Sequence, residues 1–211
     1  MKLPVPEEIF YDVALHLGAT NLDLCLLMLV QFDAYLRPSE ALGLKVEHLV
    51  PPCGRRYSQW ALVVHPSDMG EKSKTGTQDD SVVLGDLKDR KWMSRVAAHL
   101  SSHRRDFLFP GITLAFYERT VTQALDTLRY TGHILAPHIL RHSGASNDAV
   151  HQRRTLPSIQ KRGRWSSKKS VARYEKAALV QRQWKFVCPA RLAAVQNSPK
   201  RLATFLARLD G

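Results

Sequence analysis

The sequence predicts a mainly α-helical domain with one small antiparallel β-sheet, an α+β fold. Two observations carry this expectation. Apolar residues recur at helical spacing through most of the chain, whereas segments 59–65 (QWALVVH) and 81–84 read as strands, and a polar, glycine-bearing stretch joins them as a hairpin would. In addition, 211 residues with 44% apolar and 24% charged side chains suffice to bury a core without staples, which excludes a disordered chain, a collagen and a disulfide-stapled miniprotein.

The elements follow in order. Residues 5–17 form a helix opened by Pro6, Glu7 and Glu8, since proline suits the first turn and acids suit the positive end of the helix dipole. Residues 21–35 are strongly apolar, a buried helix with Asn21 as N-cap. Pro38 disfavours the α region for Arg37, which therefore belongs to the turn after that helix. Residues 39–44 make a short helical piece, and 46–50 are a candidate strand stopped by Pro51 and Pro52. Beyond the hairpin, residues 86–103, 113–130 and 137–150 read as helices, the last with Pro137 at its first position. A short helix over 157–162 stops at Gly163, and 170–187 is helical up to the break at Pro189. The tail makes two short helices split at Ser198 and Pro199.

No run of 18 uncharged apolar residues suggests a membrane span, and acids occupy the place of a signal peptide's apolar region. Cys25, Cys53 and Cys188 are scattered and odd in number, which fits a reducing, intracellular compartment and offers no zinc site. Charge is more informative. Residues 1–100 carry a net −2 and residues 101–211 a net +14, within a total of +12. Arg153, Arg154, Lys161, Arg162, Arg164, Lys168, Lys169, Arg173 and Lys176 crowd one segment whose single acid is Glu175. Such density is either a solvated basic face or a surface for a polyanion, whose phosphates release counterions on binding.

Six residues together make a phosphoryl-transfer set: Arg37, Lys74, His138, Arg141, Trp165 and Tyr174. Singly, each has an ordinary reading as a surface ion pair, a solvated lysine or a packed aromatic. Jointly they meet a definite chemical need. A phosphodiester under attack gathers negative charge on its non-bridging oxygens, which two guanidiniums can clamp. A phenol is a weak nucleophile at its free pKa of about 10 and needs cations and a base beside it. A leaving oxygen needs a proton, which a hairpin lysine can deliver as general acid. His138 and Arg141, three apart, share one helix face, and an indole N–H can donate to a phosphate oxygen.

The order of these motifs resembles the catalytic domain of the tyrosine recombinases, the phage-integrase family. YLRPSEALGL resembles its first-arginine motif, with Glu40 as the acid three positions on; SKTG resembles its hairpin-lysine motif; HILRHSGAS resembles its His-x-x-Arg helix; GRWSSKKSVARYEKA resembles its segment leading to the tyrosine. The resemblance spans residues 20–180. Trp165 stands where many members have histidine and some have tryptophan, and Lys72 competes with Lys74 for the hairpin role, with SKTG favouring Lys74. The resemblance implies a tyrosine-recombinase catalytic-domain fold over residues 1–188. It also implies strand cleavage and rejoining through a 3′-phosphotyrosine, with neither cofactor nor metal. The implied partners are double-stranded DNA, with Arg153, Arg154, Lys161, Arg162, Arg164, Lys168, Lys169 and Arg173 as its contacts, and further copies of the chain, a tetramer on DNA. A non-catalytic DNA binder on the same fold and a type IB topoisomerase are the alternatives. Members usually carry an N-terminal core-binding domain, whereas only 36 residues precede Arg37, so that domain is expected to be absent. Leu202, Phe205, Leu206 and Leu209 put one apolar face on the 189–211 tail. It packs either on its own core or, as the resemblance implies, on a neighbouring copy.

Overall fold

The structure is a computed structural model that describes residues 3–64, 80–130, 132–172 and 177–209. The helices are α1 (Glu7–Gly18), α2 (Leu22–Ala34), α3 (Pro38–Leu42), α4 (Met93–His103), α5 (Leu114–Thr127), α6 (Pro137–Val150), α7 (Leu156–Arg162), α8 (Lys168–Ala172), α9 (Ala177–Gln183), α10 (Leu192–Gln196) and α11 (Ser198–Leu206). Three strands, β1 (Leu49–Val50), β2 (Ala61–Val64) and β3 (Asp80–Val83), form an antiparallel sheet in the order β1-β2-β3, with Leu49 opposite Leu62 and Leu62 opposite Val82. The mainly helical α+β expectation therefore holds.

Local chemistry explains the boundaries. The Asn21 side chain accepts from the Leu24 N–H and starts α2, while Thr113 and Thr155 cap α5 and α7 in the same way. Two expectations change. Segment 46–50 is mostly a 3₁₀ turn (Val46–His48), leaving two residues for β1. Segment 86–92 does not extend α4; it forms a 3₁₀ turn at Lys88–Arg90. The reason is Arg90, which this turn delivers fully buried onto the carboxylates of Glu7, Asp33 and Asp148.

The core forms where α2 is wrapped by α1, α5 and α6, and it continues under the sheet through Leu49, Leu62, Val64 and Val82. Phe10 of α1 and Phe32 of α2 stack with ring centroids 4.2 Å apart. A smaller cluster of Tyr35, Ala145, Ile159 and Val171, with Trp165 against it, lies where α6, α7 and α8 meet. A Cβ on Gly144 would stand 2.2 Å from the Phe32 carbonyl oxygen, so the approach of α6 to α2 requires glycine there.

In this structure the tail packs on its own chain, the first of the two arrangements its apolar face allows. Val195, Leu202 and Leu206 are fully buried in the chain's own core, and the Phe205 ring packs over Gly18 at the end of α1. Asp12, buried on α1, accepts from Arg201 at 3.1 Å and also from Arg191 and the Tyr130 hydroxyl, while Ser198 Oγ donates to the Glu8 carbonyl at 2.6 Å. The apolar face and the charges beside it are both satisfied within the chain.

Candidate active site

Arg37 leaves α2 through a left-handed residue, Tyr35 (φ 51°), and then serves as N-cap of α3. Its own N–H donates to Glu40 Oε2 at 2.6 Å, and its guanidinium pairs with the other oxygen of the same carboxylate. Pro38 at the first helical position fixes this turn, as the sequence indicates. The Arg37 side chain is 30% exposed while Glu40 is 2% exposed, so the guanidinium reaches solvent from a buried acceptor.

Arg141 comes to the same carboxylate from α6. Its Nη1 lies 3.4 Å from Glu40 Oε2, its Nη2 donates to the Gly163 carbonyl, and its guanidinium lies 4.8 Å from the Trp165 ring centroid. His138 sits one turn earlier on the same helix, half-buried. The start of α6 is tied down by Gln31, whose Nε2 donates to the Pro137 carbonyl at 2.7 Å while its Oε1 accepts from the Tyr117 hydroxyl. On the other side, Asn147 exchanges hydrogen bonds with Val5 and Glu7 of the N-terminal segment.

The third arm comes from the end of α7. Gly163 is not the left-handed stop that its position suggests; its φ is −86°. Glycine is required because the Trp165 ring lies over it, with a Cβ only 1.8 Å from that ring. The left-handed position falls instead on Arg164 (φ 54°), which is buried and donates to Glu40 Oε2 at 2.6 Å. Three guanidiniums thus meet one carboxylate. Burial pushes the Glu40 carboxyl up, but Arg164, the Arg37 amide, Arg141 and the Arg37 guanidinium outweigh it and hold it below the ordinary glutamate value. The cluster reaches solvent through the Arg37 side chain.

Arg37, Arg141 and Trp165, expected from sequence positions far apart, are therefore gathered at one place, with His138 on the same helix as Arg141. Lys74, its competitor Lys72, Tyr174 and Arg173 lie outside the described residues, as does the Lys168 side chain. Sequence reading identified Glu40, named Arg164 only as a DNA contact and missed Gln31. A glutamine inside an apolar helix was the available signal for Gln31, because buried polar groups need partners.

The basic segment divides. Lys161 and Lys169 are exposed. Arg153 pairs with Glu7 and Asp89, Arg154 with Asp86 and Asp148, and Arg162 with Asp33, while Arg164 binds Glu40. In the structure, the guanidiniums of these four arginines pair with carboxylates of the chain itself.

No family model and no curated protein matches the sequence. Solved structures do. The post-cleavage complex of XerH site-specific recombinase bound to palindromic difH substrate superposes with a TM-score of 0.57 at 18% identity, over 92% of this chain and 54% of that one. The catalytic domain of bacteriophage HP1 integrase superposes with a TM-score of 0.57 at 18% identity, over 93% of this chain and 94% of that domain. The pre-cleavage XerH complex gives 0.55 at 20% identity, over 85% and 53%. The chain spans about half the length of XerH and nearly all of the HP1 domain. Its helices and its three-stranded antiparallel sheet match the fold of the tyrosine-recombinase catalytic domain.

Proposed function

We propose that this chain cleaves and rejoins DNA strands as a site-specific recombinase or integrase, through a 3′-phosphotyrosine. One observation carries the reading: Arg37 and Arg141, from elements about a hundred residues apart, are brought onto a single buried carboxylate, with the Arg37 side chain reaching solvent. Two guanidinium forks held in this way fit the oxygens of a phosphodiester. The described structure has no helix long and apolar enough to cross a membrane.

In the proposed reaction, the Tyr174 oxygen attacks phosphorus while its proton passes to a base, the role given to His138. A phosphorus–oxygen bond forms to tyrosine, the bond to the 5′ oxygen breaks, and Lys74 protonates that oxygen. Arg37 and Arg141 stabilise the charge that grows on the non-bridging oxygens. A 5′-hydroxyl from a partner strand reverses the step. The phosphotyrosine conserves the phosphodiester's bond, so rejoining draws on no ATP. Exchange between two duplexes breaks four strands, so four copies act together where the cell's DNA lies.

The test is a suicide duplex, nicked so that the cleaved end is lost, incubated with wild type and Tyr174→Phe and resolved on a denaturing gel. Wild type is expected to form a 3′-linked adduct and the variant none. An adduct in both moves the nucleophile elsewhere. Tight binding with no adduct in either assigns the fold to DNA binding alone, and relaxation of supercoils by a monomer assigns it to topoisomerase chemistry.

A further inference from the structure

Arg164 departs from expectation twice. It takes a left-handed backbone conformation (φ 54°), which is costly for a residue with a Cβ, while the adjacent Gly163, which could take it freely, stays at −86°. Its side chain, 3% exposed, is turned inward in the middle of the most basic stretch of the chain. The conformation has a definite result. Nη2 donates to Glu40 Oε2 at 2.6 Å and Nη1 donates to the Arg162 carbonyl at 3.0 Å, so one planar fork spans the carboxylate and the end of α7.

Glu40 Oε2 is the shared point. It accepts from the Arg37 N–H, from Arg141 and from Arg164, and Arg164 is the closer of the two guanidiniums on it, at 2.6 Å against 3.4 Å for Arg141. Among the described residues, the charged groups facing Glu40 include Arg37 from its own helix start, Arg141 from α6 and Arg164 from the end of α7. Arg141 is the longer of the two guanidinium contacts on Oε2, and it also donates to the Gly163 carbonyl and lies over the Trp165 face.

We propose that Arg164 is a positioning residue of this site: its fork locks Glu40 to the end of α7, so that Arg37 and Arg141 present a fixed pair of guanidiniums to phosphate. The proposal rests on the strand-cleavage reading above and assigns Arg164 no contact with DNA. A misplacement of about 1 Å at a reacting group can cost roughly a hundredfold in rate, which sets the scale of the effect.

Arg164→Gly is the informative variant, because glycine accepts the left-handed backbone, so the side chain with its guanidinium is removed without backbone strain. In single-turnover cleavage of the nicked duplex, the expected result is an adduct rate about 10- to 100-fold lower, with DNA affinity within about threefold. The acid limb of the rate profile is expected to move to higher pH, since Glu40 loses a cation paired with Oε2 at 2.6 Å. Arg164→Lys keeps the charge without the fork and is expected to be about tenfold slow with the acid limb in place. A glycine variant that cleaves like wild type with an unmoved acid limb overturns the proposal; should that variant not fold, a lysine variant at the wild-type rate does the same. Carbon-13 titration of the Glu40 carboxyl in wild type and the lysine and glycine variants reads the lock without catalysis. No adduct from wild type would sink the strand-cleavage reading, whereas a Glu40 titration unmoved by Arg164→Gly would sink this one.

Discussion

Two groups of arginines lie close together in this fold and are used in opposite ways. Around Glu40, the guanidiniums of Arg37, Arg141 and Arg164 share one carboxylate. Beneath it, Arg90, Arg153, Arg154 and Arg162 meet Glu7, Asp33, Asp86, Asp89 and Asp148, so acids outnumber bases. Tyr35 belongs to the second group, donating its hydroxyl to Asp148 beneath the Arg162 guanidinium. The second group is closed: each of its arginines pairs with a carboxylate of the chain, and the effect is to fix α1 and α6 to one another. The first group is open on one side, because the Arg37 side chain reaches solvent. Access from solvent, more than the presence of arginine, separates the frame from the site.

The largest expected effect tests the frame. Arg90 is entirely buried among three carboxylates, and deleting one partner of a buried ion cluster typically costs about 3–5 kcal/mol. Arg90→Ala should lower the denaturant midpoint accordingly and impair every activity together. A variant as stable as wild type would show that the closed cluster contributes nothing net.

Next comes the site. Arg141→Ala should reduce the rate of adduct formation by about 10²–10³, the usual cost of losing one transition-state donor, with a much smaller change in DNA affinity. Equal losses in rate and affinity would mean that Arg141 binds ground state and transition state alike, and the distinction between open and closed arginines would fail there.

The same distinction explains what could be read without coordinates. The strand pair, the buried α2 with its Asn21 cap, the Arg37–Pro38 turn and the α6 helix are local in origin, set by periodicity, capping and proline, and each lies where the sequence places it. Pairing is not local. The partners of Arg153 and Arg90 at Glu7 lie 146 and 83 positions away, so a run of basic residues looks uniformly available when it is not. The 3₁₀ turn at Lys88–Arg90 was hidden for the same reason, since Arg90 meets a distant carboxylate, Asp148, and the apolar spacing of the tail left its partner open.

A smaller effect sharpens the comparison on the DNA side. Salt dependence counts the cations that meet phosphate, at about 0.9 in slope for each on a duplex. Lys161→Ala and Lys169→Ala should each flatten the slope by about that amount, because both side chains are exposed. Arg153→Gln and Arg154→Gln should leave it unchanged while lowering stability. A slope that responds to Arg153 would mean that its pairing with Glu7 opens when DNA binds.

The smallest effect separates two adjacent residues. Burial pushes the Glu7 carboxyl up, but its hydrogen bonds and proximity to Arg153 and Arg90 prevail and hold it below its ordinary 4.5. Burial also pushes up Glu8, and there it prevails, with neighbouring Glu7 adding to it against His151 and Arg153. The signs differ. For Glu7 the unfolded chain binds the proton more tightly, so its stabilisation is complete above pH 4.5 and is lost as pH falls below it. For Glu8 the folded chain binds the proton more tightly, so stability declines as pH rises from 4.5 through its raised value. Glu7→Gln should therefore be less stable than wild type at neutral pH, with the difference shrinking in acid. Glu8→Gln should be slightly more stable at neutral pH, with that gain also vanishing in acid. Denaturant midpoints at pH 3.5 and pH 7 read both. If Glu8→Gln loses stability at pH 7, then Glu8 is a member of the closed cluster, and the boundary between frame and surface runs one residue further along α1.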